Sequence, residues 1–91
     1  MSDEQLQVTR DFILRAAARF PRGITRTTLD ISAASAGLTT DKDGANSMQS
    51  HIEYLIGAGL LARKPKAHTA SLELYAVTPA GDDYLRSQKL L

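Results

Sequence analysis

The hydrophobic pattern changes period partway along this chain, and that change restricts the folds open to it. Met48, Ile52, Leu55 and Ile56 recur at i, i+4, i+7 and i+8, the spacing of one helical face. Gly57 and Gly59 then interrupt the pattern. Over 71–77 the residues alternate instead, with Leu72, Leu74 and Ala76 on one side and Tyr75 and Val77 on the other. Alternation of this kind belongs to a strand. The stretch 60–64 has the length to pair back on it, with a charged turn at 65–69.

The flanking segments read as helices. Ser2 with Gln5 three residues later fits a capping box, and Asp3 and Glu4 suit the positive end of a helix dipole. Leu6, Ile13, Ala17 and Phe20 continue a helical stripe, with Val8 on the opposite side. Pro21 ends that helix, because the residue before proline avoids the αR region; the predicted span is 3–19. Ile24 stands alone between breakers, which allows a very short strand. Thr25 caps a second helix over 26–36, with Leu29, Ala33 and Ala36 inward and Gly37 as its stop. A polar connection, 38–43, leads to the third helix, 44–58, for which Asp41, Asp43 or Thr40 is the expected cap. Thr78 as N-cap and Pro79 at N1 begin a fourth helix over 79–89.

Composition closes several routes. The chain has 91 residues and a net charge of +1, with 43% hydrophobic residues. That is an ordinary globular mix for one domain over 1–91. There is no Cys and there are only two His, which removes thiol chemistry and makes a metal centre improbable. His51 and His68 read as surface or half-buried histidines. Asp41, Asp43 and Gly44 resemble part of a calcium loop, but the twelfth position would be Ser50 where a bidentate Glu is needed. No apolar run nears the ~20 residues of a membrane span. The acidic, polar opening is unlike a signal peptide, so the expected compartment is the cytoplasm. No catalytic or cofactor motif is present, so neither an enzyme nor a cofactor is expected.

The order helix, short strand, helix, helix, hairpin, helix is mostly α with a small β hairpin, an α+β arrangement. It resembles the winged helix-turn-helix. "HIEYLIGAGLLARK" is similar to the recognition-helix exit of MarR, ArsR and PadR-type regulators. "LYAVTPAGDDYL" resembles their second wing strand and following helix, through Tyr75, Val77, Thr78 and Gly81. Small winged-helix proteins of Mu-type prophages have a similar length and ending. The connection "GLTTDKDGA" departs from the pattern: it is longer than the usual turn and carries two Asp.

The resemblance implies duplex DNA as partner, read by the third helix and held by the wing. The side chains expected to reach bases are Asn46, Ser47, Gln49 and Ser50, whose amides and hydroxyls match base edges. Those expected on the backbone are Arg22, Arg26, Arg63, Lys64, Lys66 and His68. Charge is uneven: Asp41, Lys42, Asp43 and Glu53 leave 41–60 at −2, whereas Arg63, Lys64 and Lys66 bring 61–70 to +3. So few phosphate contacts call for a homodimer, for which helices one and four, with Tyr84, Leu85, Leu90 and Leu91, are the expected interface. The alternative is a winged helix that docks a protein and binds no DNA, favoured by the acidic approach to the third helix. A phage assembly component is a weaker third reading.

Overall fold

The computed structural model describes residues 3–66 and 69–90, and the side chains of all of these except 65, 66 and 69–73. Its elements are α1 (Asp3–Ala18), β1 (Ile24–Thr25), α2 (Arg26–Ser35), α3 (Met48–Gly57), β2 (Leu61–Lys66), β3 (Thr69–Val77) and α4 (Pro79–Ser87). The fold is α+β. One antiparallel sheet has the order β1-β3-β2, so the two-residue strand β1 flanks the hairpin. The expected Ser2 cap and Leu91 lie outside the described residues. Among the described residues no helix is long and apolar enough to cross a membrane.

Side-chain oxygens begin three of the helices. Thr25 accepts from Thr28 N (3.1 Å), Ser47 from Ser50 N (3.1 Å) and Thr78 from Gly81 N (3.0 Å). Thr78 also donates to Gly59 O (2.6 Å), and its own N–H bonds Leu60 O (3.1 Å), which fastens the start of α4 to the exit of α3. Gly81 sits within this joint. A Cβ there would collide with the carbonyl oxygen of Leu60. The Thr78 and Gly81 of the sequence motif thus have a packing role.

The ends of α2, α3 and α4 follow one plan. Leu38 N bonds Ala33 O, Leu60 N bonds Leu55 O and Leu90 N bonds Leu85 O, at 2.9, 3.0 and 2.8 Å. Each is the six-to-one bond of a Schellman ending, in which an apolar residue just past the helix folds back. Here that residue is leucine all three times, and Leu38, Leu60 and Leu90 all pack on the core. Gly37 and Gly59 occupy the preceding left-handed position in α2 and α3. In α4 it is Lys89, with φ of 57°.

The core joins every helix to the sheet. Ile13, Leu14, Leu29, Ile52, Leu55, Leu61, Tyr75 and Leu85 are all buried in one cluster. Several positions differ from the sequence reading. Phe20, expected on the inner stripe of the first helix, is exposed because α1 stops at Ala18 and Phe20 falls in the following turn. The stripe is completed by Leu14 instead. On β3 Leu72 and Leu74 are core candidates by residue type, but the core receives Tyr75, with Val77 packed against it. Tyr75 lies opposite Ile24 on β1 and Arg63 on β2, so these three share a sheet face. Leu74 is half-buried on the other face, opposite Thr25 and Lys64; the side chain of Leu72 is outside the described set. Leu85 is fully buried within its own chain and is not available to a partner. The hydroxyl of Tyr84 donates to Asp11 Oδ1 (2.7 Å), and this bond, with burial, raises its pKa above the usual tyrosine value.

A non-glycine residue in the left-handed region costs about 1–2 kcal/mol. Lys89→Gly is therefore expected to stabilise the fold by about 0.5–1 kcal/mol, read as a higher midpoint in chemical denaturation. An unchanged or lowered midpoint would contradict the assigned ending of α4.

Candidate nucleic-acid interface

α3 begins at Met48, four residues later than the pattern suggests, and this shift decides which side chains face outward. None of Thr40, Asp41 and Asp43 caps it. Residues 39–47 instead fold into a short structured loop. Asp41 bridges to Ser47, and Asp41 N bonds Asn46 O (3.1 Å). Ser47 and Ser50 both donate to Gly44 O, at 2.8 and 2.7 Å.

Two of the four expected base readers belong to this framework. Asn46 is only 3% exposed and Ser47 4%. Asn46 Nδ2 donates to Thr39 O (2.9 Å), and its Oδ1 meets His51 Nε2 (3.0 Å). Ser47 spends its hydroxyl on the cap. Neither can reach a base, which corrects the sequence expectation: a polar side chain just before a helix satisfies orphan backbone groups as readily as a ligand.

His51 is fully buried, deeper than the surface or half-buried site expected for it. Its Nδ1 accepts from Arg10 Nε (3.3 Å), so Nε2 carries the proton and donates to Asn46. The Arg10 guanidinium in turn lies over the Tyr54 ring, 3.6 Å from its centre. Burial, then the Arg10 charge, pushes the pKa of His51 below 6.5. The chain Tyr54–Arg10–His51–Asn46–Thr39 ties α1, α3 and the 39–47 loop together. Sequence reasoning missed it, although Met48, His51, Ile52 and Leu55 complete an i, i+3, i+4, i+7 stripe that assigns His51 to the buried face.

The exposed face of α3 carries Gln49 and Glu53, with Ser50 half-buried beside them. Arg26, at the start of α2, reaches across: its Nη1 donates to Gln49 Oε1 (2.7 Å). Gln49 Nε2 donates to Glu53 Oε1 (3.0 Å), and Arg26 also pairs with Asp30 (3.4 Å). Of the expected site residues the structure therefore brings Arg26 and Gln49 together, while the hydroxyl of Ser50 is held by Gly44 O and Ser47 Oγ. Arg22 is exposed in the turn before β1. Arg63 and Lys64 are exposed on β2 but point to opposite sheet faces. Arg63 lies on the side of Leu61 and Tyr75, against which the helices pack, and Lys64 lies on the other. The side chain of Lys66 and all of His68 lie outside the described residues. Among the described residues no cluster of three or more His, Asp or Glu could hold a metal.

No known protein family, curated protein or solved structure matches this chain.

Two outcomes test this site as a framework. Asn46→Ala removes the partner of the His51 Nε2–H and the Asn46 bond to the Thr39 carbonyl, and is expected to cost about 1–3 kcal/mol. Gln49→Ala, on the exposed face, should stay within about 0.5 kcal/mol. Equal effects in chemical denaturation would contradict the assignment. The second outcome concerns pH. The folded state holds His51 neutral while the unfolded chain protonates it near 6.5, so unfolding takes up a proton below that pH. The contribution of His51 to stability is complete above pH 6.5 and falls as the pH drops toward its lowered folded pKa. Thermal midpoints between about pH 7.5 and 5.5 should decline in the native sequence and decline less in His51→Gln. Parallel profiles would refute the buried neutral histidine.

Proposed function

We propose that the protein binds duplex DNA as a small winged helix-turn-helix, serving as a transcriptional regulator or a phage accessory factor. In this reading α3 enters the major groove and the β2–β3 hairpin is the wing. The observation that carries it is the Arg26–Gln49 hydrogen bond, which sets a cation and a base-reading amide side by side on one exposed surface.

The hydrogen-bond polarity of that surface favours the reading. Adenine presents a donor, N6–H, and an acceptor, N7, in the major groove, and a Gln amide meets both at once. In the free protein Gln49 already accepts through Oε1 and donates through Nε2, with Arg26 and Glu53 as stand-ins for the two base atoms. Exchanging them for adenine keeps the amide's orientation and frees Arg26 for a phosphate. Ser50 supplies a second polar contact. Arg22 and Arg63 add backbone contacts, as does Lys64 from the far face of the hairpin, with Lys66 and His68 expected near its tip. Glu53 opposes phosphate but can accept from cytosine N4.

A second reading, docking of a protein with basic side chains, is favoured by one specific observation. Asp41, Asp43 and Glu53 are all exposed around α3.

Fluorescence anisotropy with duplex DNA separates the two. Under the first reading affinity falls steeply between about 50 and 200 mM salt. Arg26→Ala with Lys64→Ala lowers affinity for every sequence and flattens the salt slope. Gln49→Ala instead erodes the preference for the best site by about 1–3 kcal/mol. No binding at about 50 mM salt would overturn the DNA reading.

A further inference from the structure

The outer side of α1 carries a mixed stripe in which Asp11 is engaged by Tyr84 and Phe12 by the core, while its ends stand clear. Glu4, Val8, Arg15 and Arg19 lie along it, with Asp11 and Phe12 half-buried at its middle. The spacing of four, three or four, and four residues is that of a helix–helix seam. Among the described residues Glu4, Arg15 and Arg19 make no side-chain hydrogen bond or ion pair. Acid at the first turn and base at the last also favour the helix dipole. The dipole does not account for Val8. This β-branched residue, a poor helix former, is 56% exposed in the middle of a charged stripe.

Val8 forms a ridge between two grooves. One, of about 400 Å³, lies between Glu4, Val8 and Leu38; the other, of about 270 Å³, lies between Val8, Phe12, Arg15, Leu38 and Leu90. The second has Phe12, Leu38 and Leu90 packed on the core beneath it, with Asp11 and Arg15 at its edge. A ridge beside a hole on one surface is what an isologous contact needs, because each copy must supply both.

We propose that two copies of this chain associate through α1, laid antiparallel about a two-fold axis that passes near Asp11 and Phe12. The antiparallel direction follows from charge. Side by side in the same direction, Glu4 would face the partner's Glu4 and Arg19 the partner's Arg19. Reversed, Glu4 faces the partner's Arg19, and Val8 falls on the groove bordered by the partner's Phe12 and Arg15. At 1.5 Å per residue, Glu4 and Arg19 both lie about 11 Å from the axis, so the two ion pairs form together at the rim. Rim pairs set orientation more than affinity; the apolar contact around Val8 supplies the latter. This arrangement keeps the first helix and Leu90 of the interface expected through helices one and four, and drops Leu85, which is spent in the core, and Tyr84, which is spent on Asp11. It stands apart from the DNA reading, and a dimer that binds no DNA would leave it intact.

The test is sedimentation equilibrium on the full chain. The native protein should dimerise at about 100 µM, well within the range of weak specific contacts. Val8→Asp should yield a monomer with an unchanged thermal midpoint, because the side chain is exposed. Glu4→Arg and Arg19→Glu should each weaken association about tenfold, and an equimolar mixture of the two should recover it as a heterodimer. A monomeric native chain at that concentration would overturn the proposal. So would a dimer indifferent to Val8→Asp, or a mixture no tighter than its components.

Discussion

The hydrogen bond between Asn46 and His51 decides what α3 can do. It is buried, so breaking it strands two polar groups away from water. It fixes the 39–47 loop against the first turn of α3 and, through Arg10, fixes that turn against α1. Once the loop is held there, Ser47 must cap the helix, and the helix can start no earlier than Met48. The exposed stripe is then Gln49 and Glu53, and it excludes the two polar residues just upstream. A change of one residue in the starting point would rotate this stripe by about 100°, enough to turn Glu53 aside and bring core residues to the surface.

Much of the fold was legible because it rests on period and punctuation. The stripe at Met48, Ile52 and Leu55 and the caps at Thr25 and Thr78 are local signals, and tertiary packing agreed with them. The failures share a cause. Both faces of β3 carry large apolar residues, so alternation alone cannot say which one the helices cover; pairing with Ile24 brought Tyr75 inside. Phe20 satisfied a helical spacing but lies two residues past the end of the helix. Before α3, four oxygen-bearing side chains competed to cap, and the winner was chosen by a long-range contact to Arg10 and His51 that no local window contains. At the candidate site the exposed members, Arg26 and Gln49, were readable because solvated polar residues on a helix face look as they do in sequence. Asn46 and Ser47 were not, since composition does not distinguish a polar group offered to a ligand from one consumed by the backbone.

The electrostatics of the α3 surface carry a tension. Arg26 is held by two oxygens, of Gln49 and Asp30, and Glu53 lies one turn beyond Gln49. This chain of alternating donors and acceptors keeps the exposed face ordered and nearly neutral without a ligand. A phosphate must compete with Asp30 for Arg26, which lowers affinity, while a base edge that reproduces the donor–acceptor order meets an amide already turned the right way. Such a surface trades strength for selectivity. The hairpin does not offset this by concentrating charge on one face, because the pleat sends Arg63 and Lys64 to opposite sides of the sheet.

α1 is the element that links these features. Its inner side carries Arg10, which reaches His51, and the buried Ile13 and Leu14; its outer side carries the Glu4–Arg19 stripe. Both sides belong to one helix of 16 residues, with Arg19 in the turn that follows it. A two-fold contact along the outer stripe would therefore fix the relative placement of two α3 surfaces through one layer of packing, with no loop between the contact and the surface. The two roles remain chemically separate. Protonation of His51 acts on the inner side by setting an N–H against the Arg10 donor, whereas the outer stripe makes no contact with that pair. Mild acidity should thus loosen the seat of α3 through His51. That effect and the pairing of subunits can be told apart because one follows the stability of the chain and the other its concentration.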